Sequence, residues 1–423
     1  MAQVDLVVRG ALWQGREVDL LVAKGKILEC LPYDESREFS SKRQLEGFGL
    51  RLFPSFIDAH VHLREPGFEY KENVASGLKA AAHSGFGAVL AMANTQPVND
   101  SATVTELMLD RAKQHWPKGP RVHPVGALTK GLQGKELAPL MELAEAGCAA
   151  FSNDGLPVAS TELFRRGMEY ASDLGRLVID HCEDPSLAVE GVMNESELSG
   201  HMGLVGVPTV SESIQVARDI LLAGYLNKPI HLAHIGSRES VELIAWAKEK
   251  GIPVTAETCP HYLLLTEDAV KEYDANAKMN PPLRREDDVE AVRQGLRTGV
   301  LDILVTDHAP HARHEKETCF ADAPNGITGL DTAVALTWSL VEQGVLDESR
   351  FIEAWCFGPG KIFNLPVNSF QPGDPADFFL FDEEEAWEVS ASTLHSKGKN
   401  SPWLGKMLHG RVRAHCIAGK TVV

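Results

Sequence analysis

Eight short apolar segments, each ending in polar residues and followed by a helix-forming stretch, constrain the fold of this chain most strongly. The first covers residues 53–64 and the last covers residues 302–311. Near-continuous apolar strands that alternate with helices are typical of a parallel sheet covered by helices. Eight such units predict an α/β fold, a closed TIM-like (β/α)8 barrel. An open doubly wound sheet is the alternative, disfavoured because no GxGxxG phosphate-binding loop follows any strand.

The intervening segments give the positions of the other elements. Strands are expected in six further segments: residues 87–94, 121–127, 148–154, 177–181, 229–234 and 253–257. Helix-forming segments between them include residues 74–82, 136–146, 211–223 and 240–250. In a (β/α)8 barrel the catalytic groups lie at the C-terminal ends of the strands. Polar residues at those ends are therefore the candidates for a functional site.

The two ends of the chain differ from its middle. Short strand-like segments separated by glycine-containing turns occur at residues 5–9, 19–23 and 25–28, and again at 376–382, 410–415 and 419–423. Neither group has enough strands to bury a face alone. We therefore expect residues 1–53 and 366–423 to form one small β-sandwich domain, and residues 54–365 to form the barrel.

Charge and cysteine content limit the class of protein. The chain has 41 basic and 59 acidic residues, a net charge of -18, which argues against a nucleic-acid or anionic-membrane surface. The seven cysteines are dispersed without a CxxC pair, as expected for reduced thiols in a cytoplasmic protein. There is no signal-peptide pattern, and no apolar stretch reaches the roughly 18 residues of a membrane span.

Residues of the type that bind metal ions lie at the strand ends. Side chains alternate faces along a strand, so His60 and His62 point the same way and can bind one ion. This pair alone is a modest signal, but the fourth, fifth, sixth and eighth segments contribute Asp154, His181, His234 and Asp307. Four histidines and two aspartates at one barrel mouth suit a pair of divalent ions such as zinc. His231 is expected on the opposite face from His234, in a structural role.

Longer blocks of sequence extend this pattern, at residues 58–67, 92–97, 151–155, 181–184, 280–284, 306–311, 323–329 and 396–402. Through these blocks the chain resembles the type I dihydroorotases of the amidohydrolase superfamily over nearly its whole length. The resemblance implies zinc ligation by His60, His62, His181 and His234, with Asp154 and a hydroxide bridging two zinc ions. It implies that Asp307 is both a metal ligand and the group that moves the proton.

The same resemblance implies the residues that bind substrate. Arg64, Asn94, Asn280 and His311 match the family's substrate-binding positions, and backbone groups around Pro324 and Gly326 would hold the dihydropyrimidine ring. A guanidinium can bind a substrate carboxylate through two hydrogen bonds, although a salt bridge at the rim is the simpler alternative for Arg64. The chain departs from the family where Asn153 replaces a frequent aspartate and where Tyr262 replaces a common histidine.

Many superfamily members bridge their metals with a carbamylated lysine, but this chain has no lysine between Lys135 and Lys228. The bridge must therefore be Asp154, or the site holds a single metal. This favours a dihydroorotase, which interconverts N-carbamoyl-L-aspartate and L-dihydroorotate in pyrimidine (UMP) biosynthesis, over a hydantoinase, dihydropyrimidinase or allantoinase.

Two alternatives stay open. One is another cyclic amidase on the same scaffold, which would need no arginine for a ring carboxylate. The other is a non-catalytic partner subunit of aspartate transcarbamoylase, although retention of all six ligand-type residues argues against an inactive scaffold. The family resemblance also implies homodimer formation and allows an active subunit to associate with aspartate transcarbamoylase.

Overall fold

A computed structural model describes residues 4–423, so residues 1–3 of the expected small domain lie outside the described part. The strands are β1 Leu6–Trp13, β2 Arg16–Ala23, β3 Lys26–Pro32, β4 Gln44–Glu46, β5 Arg51–Pro54, β6 Phe56–Val61, β7 Phe86–Ala91, β8 Arg121–Ala127, β9 Ala150–Ser152, β10 Leu177–His181, β11 Met193–Asn194, β12 Gly206–Val207, β13 Ile230–Ala233, β14 Val254–Thr258, β15 Ile303–Leu304, β16 Phe378–Glu388, β17 Met407–Ile417 and β18 Lys420–Thr421.

The helices lie mostly between the barrel strands. They are α1 Val74–His83, α2 Ala102–His115, α3 Leu140–Ala146, α4 Thr161–Asp173, α5 Glu197–Met202, α6 Val210–Leu226, α7 Arg238–Glu249, α8 Pro260–Leu264, α9 Glu286–Thr298, α10 Arg313–Lys316, α11 Ala333–Glu342, α12 Glu348–Ile352 and α13 Gly358–Ile362. No helix within residues 4–423 is both long and apolar enough to cross a membrane.

Eight parallel strands form the predicted barrel, in the order β6-β7-β8-β9-β10-β13-β14-β15. A parallel bridge between Val61 and His308 joins the first strand to the segment after the last, which closes the sheet. All residues of β6, β7 and β13 are buried, as expected for strands covered on both faces. The closed (β/α)8 barrel is confirmed, and the open doubly wound alternative is wrong.

Strands from both ends of the chain form one further sheet, in the order β18-β17-β16-β5-β1-β2-β3, with β4 beside β1. The first predicted strand segment is divided between the two sheets. Its beginning, in β5, pairs with β16, and its remainder, in β6, enters the barrel. Ser55 lies at this junction, where its backbone N–H donates to the Asp377 carbonyl. One continuous segment therefore fixes the barrel against the terminal sheet.

An aromatic cluster packs the terminal sheet against the barrel. The Phe53 ring centroid lies 5.5 Å from that of Phe379, 5.6 Å from Trp338 and 5.9 Å from Phe56. All four side chains are buried. Loss of one such ring to alanine costs about 3–5 kcal/mol in a packed core. This apolar contact makes the terminal sheet a fixed support for the barrel.

The helix boundaries differ from the pattern most clearly at α3. The apolar pattern begins at residue 136, but the helix begins at Leu140, directly after Pro139. A proline disfavours the helical conformation of the residue before it, and so excludes Ala138 from the helix. Local proline sterics therefore override the hydrophobic pattern at this end.

Candidate metal centre and substrate pocket

The strand ends bring the six predicted metal ligands together, all of them buried. Asp154 lies at the centre of the four histidines. Its Oδ1 lies 3.3 Å from His60 Nε2 and 3.5 Å from both His181 Nδ1 and His234 Nε2, while its Oδ2 lies 3.5 Å from His62 Nε2. The structure therefore places one carboxylate where it can reach two groups of histidines, His60 with His62 and His181 with His234.

Asp307 approaches only one of these groups. Its Oδ1 lies 3.1 Å from His62 Nε2 and 3.7 Å from His60 Nε2. The donors thus divide into one set formed by His60, His62 and Asp307 and a second set formed by His181 and His234, with Asp154 between them. Two ligand sets that share a carboxylate are the arrangement that a two-metal site requires.

The donor set fits divalent metal ions. Zinc binds histidine at about 2.0–2.1 Å in tetrahedral geometry, so two ligands of one ion are about 3.3 Å apart. The donor–donor separations around Asp154 and Asp307 run from 3.1 to 3.7 Å. His60 Nε2 is also buried and has no hydrogen-bond partner among the described residues. Such an unpaired polar atom costs about 1–3 kcal/mol unless a ligand satisfies it.

The charges favour a bound cation. Burial opposes ionisation of Asp154, but the surrounding histidines outweigh it and hold the pKa of this carboxyl well below its usual value. The pKa of Asp307 is lowered in the same way, against burial, chiefly by the neighbouring His62 and His60. Conversely, Asp154 and Glu183 outweigh burial and raise the pKa of His181 to about 9. A metal ion that binds here must displace this proton, so its affinity depends on pH.

Three site residues have left-handed backbone conformations: Arg64 with φ 60°, His234 with φ 36° and Asp307 with φ 43°. Each follows the end of a barrel strand, where the strict alternation of side chains no longer applies. Non-glycine residues rarely adopt such angles, and they persist where the surrounding structure enforces them, often at functional sites. The turn at each position, rather than strand alternation, directs these side chains to the site.

A cavity of about 220 Å³ opens above the metal-type residues. Five predicted substrate-binding residues line it: Arg64, Asn94, Asn280, His311 and Gly326. Pro324 does not line the cavity, and its carbonyl oxygen accepts a hydrogen bond from Lys316 Nζ at 2.7 Å. Gly155, Met279, Ala309 and Asn325 also line the cavity. The sequence assigned no role to any of them, although all but Met279 lie within the blocks that carry the family resemblance.

The lining amides also orient the histidines. Asn94 Oδ1 accepts a hydrogen bond from His62 Nδ1 at 2.8 Å, which leaves His62 Nε2 free to face the carboxylates. Asn280 Nδ2 lies 3.2 Å from His181 Nε2. Both asparagines therefore contact predicted metal ligands as well as the cavity.

His311 is already engaged by protein groups. Its Nε2 donates to the Asn325 carbonyl at 2.9 Å, and its Nδ1 lies 3.4 Å from Lys71 Nζ. The backbone at Gly326 packs closely against Ala309 and His311. A Cβ added at Gly326 would lie 2.6 Å from the Ala309 carbonyl oxygen and 3.0 Å from His311 Cδ2. This close packing fixes this wall of the cavity and excludes any side chain at Gly326.

Several residues that build the site had no role assigned from sequence. Asn400, within the block at residues 396–402, donates to the carbonyls of Ala309 and Gly326 and accepts from the His311 backbone N–H. Asn153, the departure from the family pattern, holds the loop beside Asp154 through Thr129 and two backbone carbonyls. The resemblance marked the block that carries Asn400, but only the contacts give these residues a role.

Known proteins resemble this chain in sequence and in fold. A family model described as Dihydro-orotase-like matches residues 49–240. The dihydroorotase of Syntrophus aciditrophicus (strain SB) is 45% identical over 406 residues, which cover 96% of this chain and 95% of that protein. The dihydroorotase of Geotalea daltonii (strain DSM 22248 / JCM 15807 / FRC-32) is 45% identical over 405 residues, covering 96% and 94%. An L-hydantoinase (dihydropyrimidinase) structure from Arthrobacter aurescens aligns with a TM-score of 0.89 at 23% identity, over 100% of this chain and 96% of that chain, and supports the fold.

Proposed function

The chain belongs to the dihydroorotase family and is a cyclic amide hydrolase, and we propose that it interconverts N-carbamoyl-L-aspartate and L-dihydroorotate in cytoplasmic pyrimidine biosynthesis. The observation that carries the proposal is the position of Asp154 within 3.3–3.5 Å of four buried histidines, in a region of the chain without lysine. A carboxylate so placed would take the place of the carbamylated lysine in holding two metal ions.

We assign two zinc ions to this site. His60, His62 and Asp307 would hold one, His181 and His234 the other, with Asp154 shared between them. When bound, the metals would activate a water molecule as nucleophile near neutral pH and polarise the ring carbonyl. The mixed imidazole and carboxylate donors, 3.1–3.7 Å apart, support zinc over magnesium or calcium, which prefer all-oxygen ligand sets.

Asp307 is assigned the proton transfer. It lines the cavity with Oδ1 3.1 Å from His62 Nε2, and its lowered pKa keeps it ionised, the form that can take a proton. In hydrolysis it accepts the proton of the attacking water and delivers it to the leaving ring nitrogen. In the reverse direction it takes the proton from the carbamoyl nitrogen as the ring closes.

We assign to Arg64 the binding of the substrate carboxylate. Its side chain is half-buried beside the cavity, and Nε donates to the Pro310 carbonyl at 3.3 Å. This contact fixes the guanidinium while its two terminal nitrogens remain available for a carboxylate. A hydantoinase-like amidase acting on uncharged rings is the second candidate, supported by the likeness in fold alone. Preference for uncharged rings over L-dihydroorotate would favour that candidate.

The test is loss of L-dihydroorotate absorbance by the zinc-loaded protein, repeated after chelation and for the Asp307→Asn variant. We expect chelation to abolish turnover, zinc to restore it, and the variant to be inactive in both directions. Asp19→Asn is the matched control, because Asp19 is an equally buried carboxylate that pairs with Arg9 in the terminal sheet. Near-normal activity of Asp307→Asn would remove that residue from the mechanism. Homodimer formation and association with aspartate transcarbamoylase stay predictions, which size-exclusion chromatography of the chain alone and with that enzyme would test.

A further inference from the structure

A buried carboxylate that no sequence pattern singled out lies directly beneath the metal-type cluster. Glu257, in β14, is fully buried and places its two oxygens on two different histidines. Oε1 lies 2.7 Å from His60 Nδ1, and Oε2 lies 2.9 Å from His231 Nε2. All three side chains have 0% exposure, so water does not compete for these contacts.

The contact with Glu257 decides which nitrogen of His60 carries the proton. A carboxylate accepts only, so Nδ1 of His60 must donate to it. In the neutral imidazole, Nε2 then presents its lone pair. That nitrogen is the one that lies 3.3 Å from Asp154 and has no hydrogen-bond partner within residues 4–423. Glu257 thus aims the ligand-competent nitrogen of His60 at the proposed metals.

Glu257 is itself held by His231, and His231 is held in turn by Thr255. His231 and Thr255 are register partners on the neighbouring strands β13 and β14, and the Thr255 hydroxyl lies 2.8 Å from His231 Nδ1. A hydroxyl that donates to Nδ1 leaves the proton of neutral His231 on Nε2, which donates to Glu257. The sequence predicted a structural role for His231, on the face opposite His234. In the structure His231 contacts Glu257, which in turn contacts the proposed metal ligand His60. The left-handed turn at His234 ends the alternation on which that expectation depended.

We propose that Glu257 is a positioning residue that fixes His60 for metal binding, and that His231 and Thr255 hold Glu257 in that orientation. The inference rests on the proposed metal centre. Carboxylates that accept from metal-bound histidines raise ligand basicity and fix the ring, and their loss weakens metal affinity by about 10- to 100-fold. Glu257 differs from an ordinary buried ion pair because its partner is the proposed metal ligand His60, whose other ring nitrogen faces Asp154.

The test measures metal affinity rather than activity alone. Glu257→Met should weaken zinc binding about 10- to 100-fold in competition with a chromophoric chelator at fixed pH. Glu257→Gln should retain most of the affinity, because its amide oxygen still accepts from His60. Thr255→Val should give a smaller loss and keeps the proposal testable if Glu257→Met does not fold. Raising the zinc concentration should restore turnover of the folded variants, which a purely structural defect would not allow.

Asp19→Asn is again the control for removing a buried carboxylate far from the site, and His60→Ala is the control for the metal centre itself. Unchanged zinc affinity in Glu257→Met, together with weakened affinity in His60→Ala, would overturn the positioning role and leave the metal centre intact. Unchanged affinity in His60→Ala, or no zinc binding by the parent protein, would instead refute the proposed metal centre.

Discussion

Replacement of Lys278 by methionine tests how the cavity wall is held. Lys278 is 4% exposed, and its Nζ donates to the carbonyl oxygens of Phe320 and Ala321 at 2.8 Å and of Ala323 at 2.7 Å. These carbonyls precede Asn325 and Gly326, which line the cavity. One buried ammonium therefore fixes the loop that forms this wall.

The magnitude follows from those three contacts. Hydrogen bonds from a charged donor contribute about 1.5–3 kcal/mol each, so their sum is at most about 4.5–9 kcal/mol. The ammonium loses several kcal/mol of hydration on burial, and burial lowers the pKa of Lys278 accordingly. Methionine avoids this cost, which leaves a net loss of about 2–3 kcal/mol for the ordered loop. If the whole of that loss falls on substrate binding, the dissociation constant of the substrate rises about 30- to 150-fold.

Steady-state kinetics and metal analysis provide the measurement. Lys278→Met should raise KM for L-dihydroorotate about 30- to 150-fold, while zinc content stays at the parent value because the lysine touches none of the proposed ligands. Lys271→Met is the matched control, since Lys271 is exposed on the same segment of chain. An unchanged KM with an unchanged thermal unfolding temperature would refute this account of the loop.

Three further predictions follow from single contacts or titrations. Arg64→Lys keeps the charge but loses the planar fork, so KM for L-dihydroorotate should rise about tenfold; an equal effect on an uncharged ring substrate would contradict the carboxylate role. Burial lowers the pKa of Lys316 to about 7. Between about pH 7 and pH 10 the lysine is therefore protonated in the unfolded state but largely neutral in the folded state. The free energy of unfolding should accordingly rise with pH over this range, and it should rise less in Lys316→Gln. Burial lowers the pKa of His415 to about 4, so stability should fall as the pH drops from about 6.5 to 4. Chemical denaturation should show a shallower fall in His415→Gln, and equal slopes would remove His415 from the acid response.

Periodicity predicted the barrel and the metal-type cluster well. Apolar strands that alternate with helices have few alternatives to a parallel sheet, and the ends of those strands meet on one face. This is why Asp154 and His181, on adjacent strands, could be placed together without coordinates. The shared sheet of the two chain ends followed from the same argument, because neither group of strands could bury a face alone.

The same patterns were less informative where backbone geometry changes. The segment at residues 53–64 looks like one strand, yet it divides at Ser55 between two sheets. Helix α3 begins after Pro139, and Arg64, His234 and Asp307 turn out of strand geometry at the site. Hydrophobic pattern reports which face is buried, and it carries little information about the single residue at which a strand bends or ends.

The sequence by itself determined the order of elements, the buried faces and the identity of the metal-type residues, because these depend on spacing along the chain. The tertiary structure alone decided which polar groups meet. Glu257 contacts His60 across 197 residues, and Asn400 contacts Ala309 across 91. Buried carboxylates and amides need partners wherever the packing places them, and no local periodicity specifies a partner that distant. The orientation of the histidines and of the cavity wall is therefore a property of the closed barrel and the chain segments packed upon it.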